Sequence, residues 1–247
     1  NTTGNVTIDG AIVSSNDAIS FGNINLGQNL LSVTSAGGAI SIGTISAASG
    51  SRDISITSSG GSANTVAVGA IGGNTNINTI AITGSTSVTL NGNITTDNSS
   101  GNSLTVTGST INTGAITIDT DNSSNDGAIN LVGSVASSNN NLVLNSGTAE
   151  ITLSGAAFNL GSGSLTTTGD INLANNVSIT ATGGMTINNK IDADNASSNN
   201  RTLTLNSGTG ATMTFNNAIG SAQPLAGLTI TQSDGATFNN TLSITDG

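Results

Sequence analysis

Read as apolar and polar positions, the chain repeats one short figure: an apolar residue, a small or polar one, and a second apolar one. It occurs at Val6/Ile8, Ile19/Phe21, Leu31/Val33, Ile40/Ile42, Ile54/Ile56, Val66/Val68, Ile80/Ile82, Val88/Leu90 and Leu104/Val106. It continues through Ile116/Ile118, Ile129/Leu131, Leu142/Leu144, Ile151/Leu153, Ile171/Leu173 and Val177/Ile179. The last are Met185/Ile187, Leu203/Leu205, Met213/Phe215, Leu228/Ile230 and Leu242/Ile244. A period of two puts alternate side chains on opposite sides of an extended backbone, so each figure predicts a short strand with one buried side. The Gly, Asn and Ser clusters between them predict turns.

The figures come in two kinds. One adds a further apolar residue after a small or Asn-rich bend, as in "ISFGNI" (19–24), "ISIGTI" (40–45), "VAVGAI" (66–71), "VTLNGNI" (88–94), "MTINNKI" (185–191) and "MTFNNAI" (213–219). The other runs straight into a Ser/Gly turn, as in "LSVTSAGG" and "LTLNSG". The post-bend residues Ile24, Ile45, Ile71, Ile94 and Ile118 recur at intervals of 21, 26, 23 and 24. A unit of that length is too thin to bury its own apolar side chains and must stack on its neighbours, which predicts a solenoid. The expectation is an all-β, right-handed parallel β-helix, a single domain over 1–247 with about ten coils of roughly 21–26 residues,. The hand follows the preference of parallel crossovers. At a strand spacing of about 4.8 Å the rod would be about 50 Å long. A sandwich of hairpins also gives many short strands, but it would carry charged outer faces rather than one recurring line. A hexapeptide helix would need a strict spacing of six, which the chain lacks.

Two stretches, Val88 to Gly108 and Met185 to Gly208, write almost the same line: triplet, bend, isoleucine, a corner with "DN" and "SS", and a second triplet. The acidic corners at 95–100, 119–124 and 192–198 are accordingly expected at one place in the repeat. Between Ile118 and Ile191 the register stays open. The 73 residues fit three coils or four, and "GSGSLTTTGD" reads as having lost the first half of its triplet.

Composition narrows the classes. Leu, Ile, Val and Phe make up about 23% of the chain, above the roughly 20% below which disorder is indicated. Only one proline is present, which also argues for a folded chain,. The net charge of −10, with only Arg52, Lys190 and Arg201 as cations, gives no basic footprint for nucleic acid. No apolar run is long enough for a membrane-spanning helix. No basic and apolar leader opens the chain, as expected of a mature or internal segment. The absence of cysteine suits an exported protein stabilised without disulfides,.

Aliphatic triplets, "GNI"-type bends and corners such as "TTDNSSGNSLTVTG" resemble, in composition and period, the repeats of filamentous-haemagglutinin-like and autotransporter-type adhesins. The resemblance spans nearly the whole chain without a family-specific motif. It implies a right-handed parallel β-helix, export across a Gram-negative envelope, and a stalk or adhesive rod at the cell surface. The implied partners are a receptor or glycan on a host or neighbouring cell, or other copies of the chain.

The inventory for chemistry is short. Without His or Cys, a His-dependent triad and a thiol nucleophile are both unavailable. A β-helix polysaccharide lyase would need carboxylates beside a base, and Glu150 is the only glutamate. Opposite charges gather in one coil only, where Lys190 and Arg201 accompany Asp192 and Asp194; the plain expectation is a solvated edge with weak ion pairing. No catalytic, cofactor or metal residue is assigned. Stacked Asp97 and Asp121 would repel unless water or calcium screened them, but "DTDNSSNDG" lacks the Gly and Glu of a calcium loop,. "LTTTG" and "ITIDT" occur, yet no repeating outward Thr-x-Thr array suggests ice or crystal binding. Asn-x-Ser/Thr sites such as Asn93, Asn98, Asn122 and Asn176 are what chance gives in this composition. Met185, Met213, Phe21, Phe158, Phe215 and Phe238 are expected to fill the core, and Pro224 to sit in a corner between strands,. The reading is a non-enzymatic, extracellular adhesin-like rod, with end-to-end filament assembly as the alternative and a lyase third.

Overall fold

The computed structural model describes residues 2–47, 51–61, 64–73, 77–97, 102–122, 126–194 and 201–245. The remaining parts of the three acidic corners, and the Asn98 site, lie outside them. The described chain holds strands only, every named pairing is parallel, and the whole is a parallel β-solenoid.

Each winding passes through three ladders in turn. The first carries Leu31, Ile54, Ile80, Leu104, Ile129, Ile151, Ile171 and Ile191 as successive rungs. The second carries Ile19, Ile40, Val66, Val88, Ile111, Val135, Phe158, Ile179 and Leu205. The third runs Val6, Ile24, Ile45, Ile71, Ile94, Ile118, Leu144, Thr167, Ile187, Phe215 and Phe238. The post-bend isoleucines therefore do stack on one another, as their spacing predicts. Long strands such as Ile77–Leu90 and Leu142–Leu153 turn a corner and serve two ladders, which joins the three faces into one sheet.

The core is the column enclosed by the three ladders, and inward positions alternate with outward ones as in the buried–intermediate pattern of Leu165–Leu173. Met185, Met213, Phe158 and Phe215 are buried in it, while Phe21 is half-buried. Phe238 lies parallel to Phe215 with ring centroids 5.0 Å apart. It is 36% exposed, and Ile230, Leu242 and Ile244 of the last winding are also exposed, because no described winding covers them. Pro224 falls between the bridge residues Ile219 and Leu225, outside the strands.

Corners are closed from inside by serine, a feature the triplet pattern does not reveal. Ser58 Oγ donates to Gly38 O (2.8 Å), Ser137 Oγ to Asn140 O (2.7 Å), Ser146 Oγ to Ala149 O (2.8 Å) and Ser207 Oγ to Ala211 O (2.9 Å). All four serines are fully buried. Each thereby pairs its own buried hydroxyl with a corner carbonyl, and that of Ala211 accepts the Asp234 N–H as well, at 3.0 Å. One corner admits only glycine: Gly133 has φ +141°, and a Cβ there would lie 1.7 Å from the carbonyl oxygen of Gly108,.

Two expectations change. Between Ile118 and Ile191 there are three windings plus one face: the third ladder steps from Ile118 to Leu144, Thr167 and Ile187, while Ile191 already belongs to the first. The triplet of "GSGSLTTTGD" keeps its first half, with Leu165 on Leu142, and Thr167 takes the second position on Leu144. The two similar lines also occupy different faces. Val88/Leu90 lie in the second ladder and Ile94 in the third, whereas Met185/Ile187 lie in the third and Ile191 in the first. The line specifies a bend followed by a wide corner, and any of the three corners can use it.

Two substitutions in the third ladder should move stability in opposite directions. Ile94→Ala opens a gap between Ile71 and Ile118 and should cost about 2–5 kcal/mol,. Thr167 is 1% exposed and its hydroxyl has no hydrogen-bond partner, so Thr167→Val keeps the shape and should gain about 1 kcal/mol. Urea unfolding of the two variants measures both; a loss for Thr167→Val would mean that the hydroxyl is satisfied in solution.

Candidate functional site

A concavity with chemical groups lies on the outer side of the first ladder, in the C-terminal half. Buried Ile151, Ile171 and Ile191 form successive rungs of the wall. Strand alternation then turns their neighbours outward in two columns. Glu150 pairs in register with Asp170, Lys190 follows one winding on, and Thr152, Asn172 and Asp192 run alongside. The bend before Leu225 supplies one rim through Ala222 and Gln223. All of these polar and rim residues but Thr152 line a groove of about 380 Å³.

Its polar groups are positioned by one another. Lys190 Nζ lies 3.0 Å from Asp170 Oδ2, and its backbone N–H donates to Asp170 Oδ1 at 3.3 Å. Glu150 Oε1 accepts from Thr152 Oγ1 (2.7 Å) and Asn172 Nδ2 (3.0 Å). Asp192 Oδ1 accepts from the N–H groups of Ala222 (2.8 Å) and Gln223 (3.1 Å), which pins the rim. The hydrogen bond and charge of Asp170, with a smaller contribution from Asp192, hold the Lys190 ammonium above its usual pKa, so it is a cation and not a base at neutral pH. The Lys190 and Asp170 side chains are more than a third exposed, and such a pair adds little to stability.

The coil expected to gather charge is thus divided. Arg201 does pair with Asp194 in two hydrogen bonds of 2.9 and 2.6 Å, which holds together the two ends of a wide corner. Lys190 instead reaches back one winding to Asp170. Glu150, which looks isolated along the chain, is brought to the same groove by the ladder. A search at a spacing of 20 residues links Asp170 to Lys190, but the open register hides that spacing.

The acidic corners separate too. Asp119 stands opposite Thr95, so the corners after Ile94 and Ile118 do start on the same face. The backbones then diverge: Asp97 N–H donates to Ile77 O at 2.7 Å, whereas Asp121 N–H turns back onto Asp119 Oδ1 at 3.1 Å. The carboxylates that act on Asp121 are Asp126, through a shared hydrogen bond and its charge, and then Asp119; they raise its pKa. Hydrogen bonds from the Thr148 hydroxyl and N–H lower that of Asp126. The third corner, at Asp192, is on another face altogether. Among the described residues no group of three or more His, Cys, Asp or Glu is placed to hold a metal ion.

Threonine columns are more regular than the sequence suggests. Strict Thr-x-Thr occupies one row of the first face, Thr105/Thr107, but Thr34, Thr57, Thr83 and Thr107 are successive rungs of one outward column. Thr166, Thr186, Thr214 and Thr237 form another on the third face. Beside the latter, Asn216 Nδ2 donates to Asn188 Oδ1 and Asn239 Nδ2 to Asn216 Oδ1, both at 2.9 Å. These columns were hidden because partners lie a full winding apart.

No family profile matches the chain, and no curated protein or solved structure matches it either.

The Asp121 pair gives a pH test. A carboxyl whose pKa rises on folding contributes stability below the unfolded value and loses it as pH rises through the folded value. Asp121→Asn should therefore raise the melting temperature at pH 7, and the difference should vanish below pH 3.8, the ordinary aspartate value. Thermal melts of both proteins across that range check it; a pH-independent difference would assign the effect to packing.

Proposed function

We propose that the chain is a non-enzymatic structural rod of an extracellular bacterial surface protein, an adhesin-like stalk that holds a receptor- or glycan-binding surface away from the cell. The observation that carries this reading is the continuous, mostly aliphatic column. Three ladders enclose it and every rung is tied to the next by parallel backbone bonds, so a thin object resists bending over its full described length. The outside suits prolonged exposure to solvent: it is uncharged over most of its area, rich in Ser, Thr and Asn, and cross-linked by side-chain ladders. The composition and period that resemble adhesin repeats point the same way.

A second reading, stacking of copies end to end into a filament, is favoured by the apolar residues of the last winding. Ile230, Phe238, Leu242 and Ile244 stand at inward positions that no described winding covers, and Ile8 and Ile12 of the first winding are only partly buried. An open parallel edge of this kind can accept another chain in continuation of the ladder.

Antibodies raised against the folded segment should label intact cells of the source organism, and protease treatment of those cells should remove the label. Labelling only after lysis would exclude the surface role. Electron microscopy of the segment at rising concentration should show single short rods; fibres that lengthen with concentration would favour the filament.

A further inference from the structure

We propose that the groove around Glu150, Asp192 and Asn172 binds a saccharide carrying a free, protonated amino group. Its charge and its unused hydrogen-bonding capacity agree on this. Three carboxylates, Glu150, Asp170 and Asp192, face it against the single ammonium of Lys190, which Asp170 already engages. The atoms left over are acceptors. The hydrogen bonds of Glu150 and Asp192 use Oε1 and Oδ1, leaving Oε2 and Oδ2 open. Asn172 Oδ1 is buried without a partner. A ligand that completes the site must therefore bring donors and positive charge. Anions are repelled.

The size and the missing aromatics narrow the class further. A volume of about 380 Å³ lies at the small end of ligand clefts and fits a sugar unit better than a peptide segment. The chain has no Trp or Tyr on which a sugar ring could stack, so a neutral saccharide would only exchange water hydrogen bonds for protein ones, at small net gain. An ammonium adds charge-assisted hydrogen bonds, which are about twice as strong as neutral ones. The hydroxyls of the same ring supply donors for Asn172 and for the second carboxylate. The groove's composition does not depend on where the rod is displayed.

Isothermal calorimetry at low ionic strength, with glucosamine tetramer, its fully N-acetylated counterpart and spermidine as probes, tests this. The glucosamine tetramer should bind, and the acetylated tetramer, which lacks the charge, should give no heat. Spermidine, which has the charge without the ring, should bind more weakly than the glucosamine tetramer. Glu150→Gln keeps the acceptor for Thr152 and Asn172 and should weaken binding about tenfold, the scale of one charge-assisted contact. Lys190→Met removes the internal cation, frees Asp170 and should tighten binding; this opposite response is one that a merely misfolded variant would not give. Circular dichroism melts of both variants confirm the fold. The proposal is overturned if the glucosamine tetramer fails to bind, if the acetylated tetramer or spermidine binds as tightly, or if Glu150→Gln leaves its affinity unchanged.

Discussion

Everything in this molecule depends on one constraint: each inward side chain must find a similar one directly above and below it. The parallel ladder sets that spacing, and it ties the strand backbone of each interior winding to the windings on either side. The constraint extends to single-residue rungs, where Ile45 N–H donates to Ala70 O and Ile71 N–H to Asn93 O, both at 2.9 Å. Magnitudes show which interaction governs. A buried Ile or Leu contributes about 1.5–3 kcal/mol, and the core holds dozens of such residues. The Lys190–Asp170 and Arg201–Asp194 pairs are partly exposed and each belongs to a class worth about 0–1 kcal/mol. The rod is held by its column, and its charges serve the surface.

Polar residues enter the interior where the path bends. At the corners a buried serine hydroxyl donates to a carbonyl, as those of Ser58, Ser137, Ser146 and Ser207 do. Serine fits because it is small, brings its own donor and adds no charge. Thr113, paired with Leu90, and Thr167, paired with Leu144, are exceptions, since their hydroxyls stand in the column with no bond; Thr167 marks the winding where the sequence pattern weakens.

Much of the architecture was legible because the constraint acts on sequence directly. Like-on-like stacking makes the post-bend isoleucines recur at the length of a winding, and Ile24 through Ile118 do pair in that order. Legibility failed where winding length changed. The third ladder shortens from a step of 26 residues, Ile118 to Leu144, to one of 20, Thr167 to Ile187. No marker in the triplets announces it. The groove was missed for the same reason, since Glu150, Asp170 and Lys190 meet only once that shortening is known. The acidic corners misled in another way. Their residues match, but Asp97 and Asp121 leave the ladder by different backbone bonds.

The displacement of the repeated line carries a consequence of its own. From Val88 the second ladder climbs through Ile111, Val135, Phe158 and Ile179 before the line begins again at Met185, on the next face. The copy is thus offset by four full turns and a third. A structure whose faces made different demands would reject such an offset. Here all three sides ask only for an aliphatic pair pointing inward, so a duplicated stretch need not equal a whole number of turns to fit. Fractional additions lengthen the shaft and also swing its broad loops to a new azimuth, which lets one simple sequence present them in several compass directions.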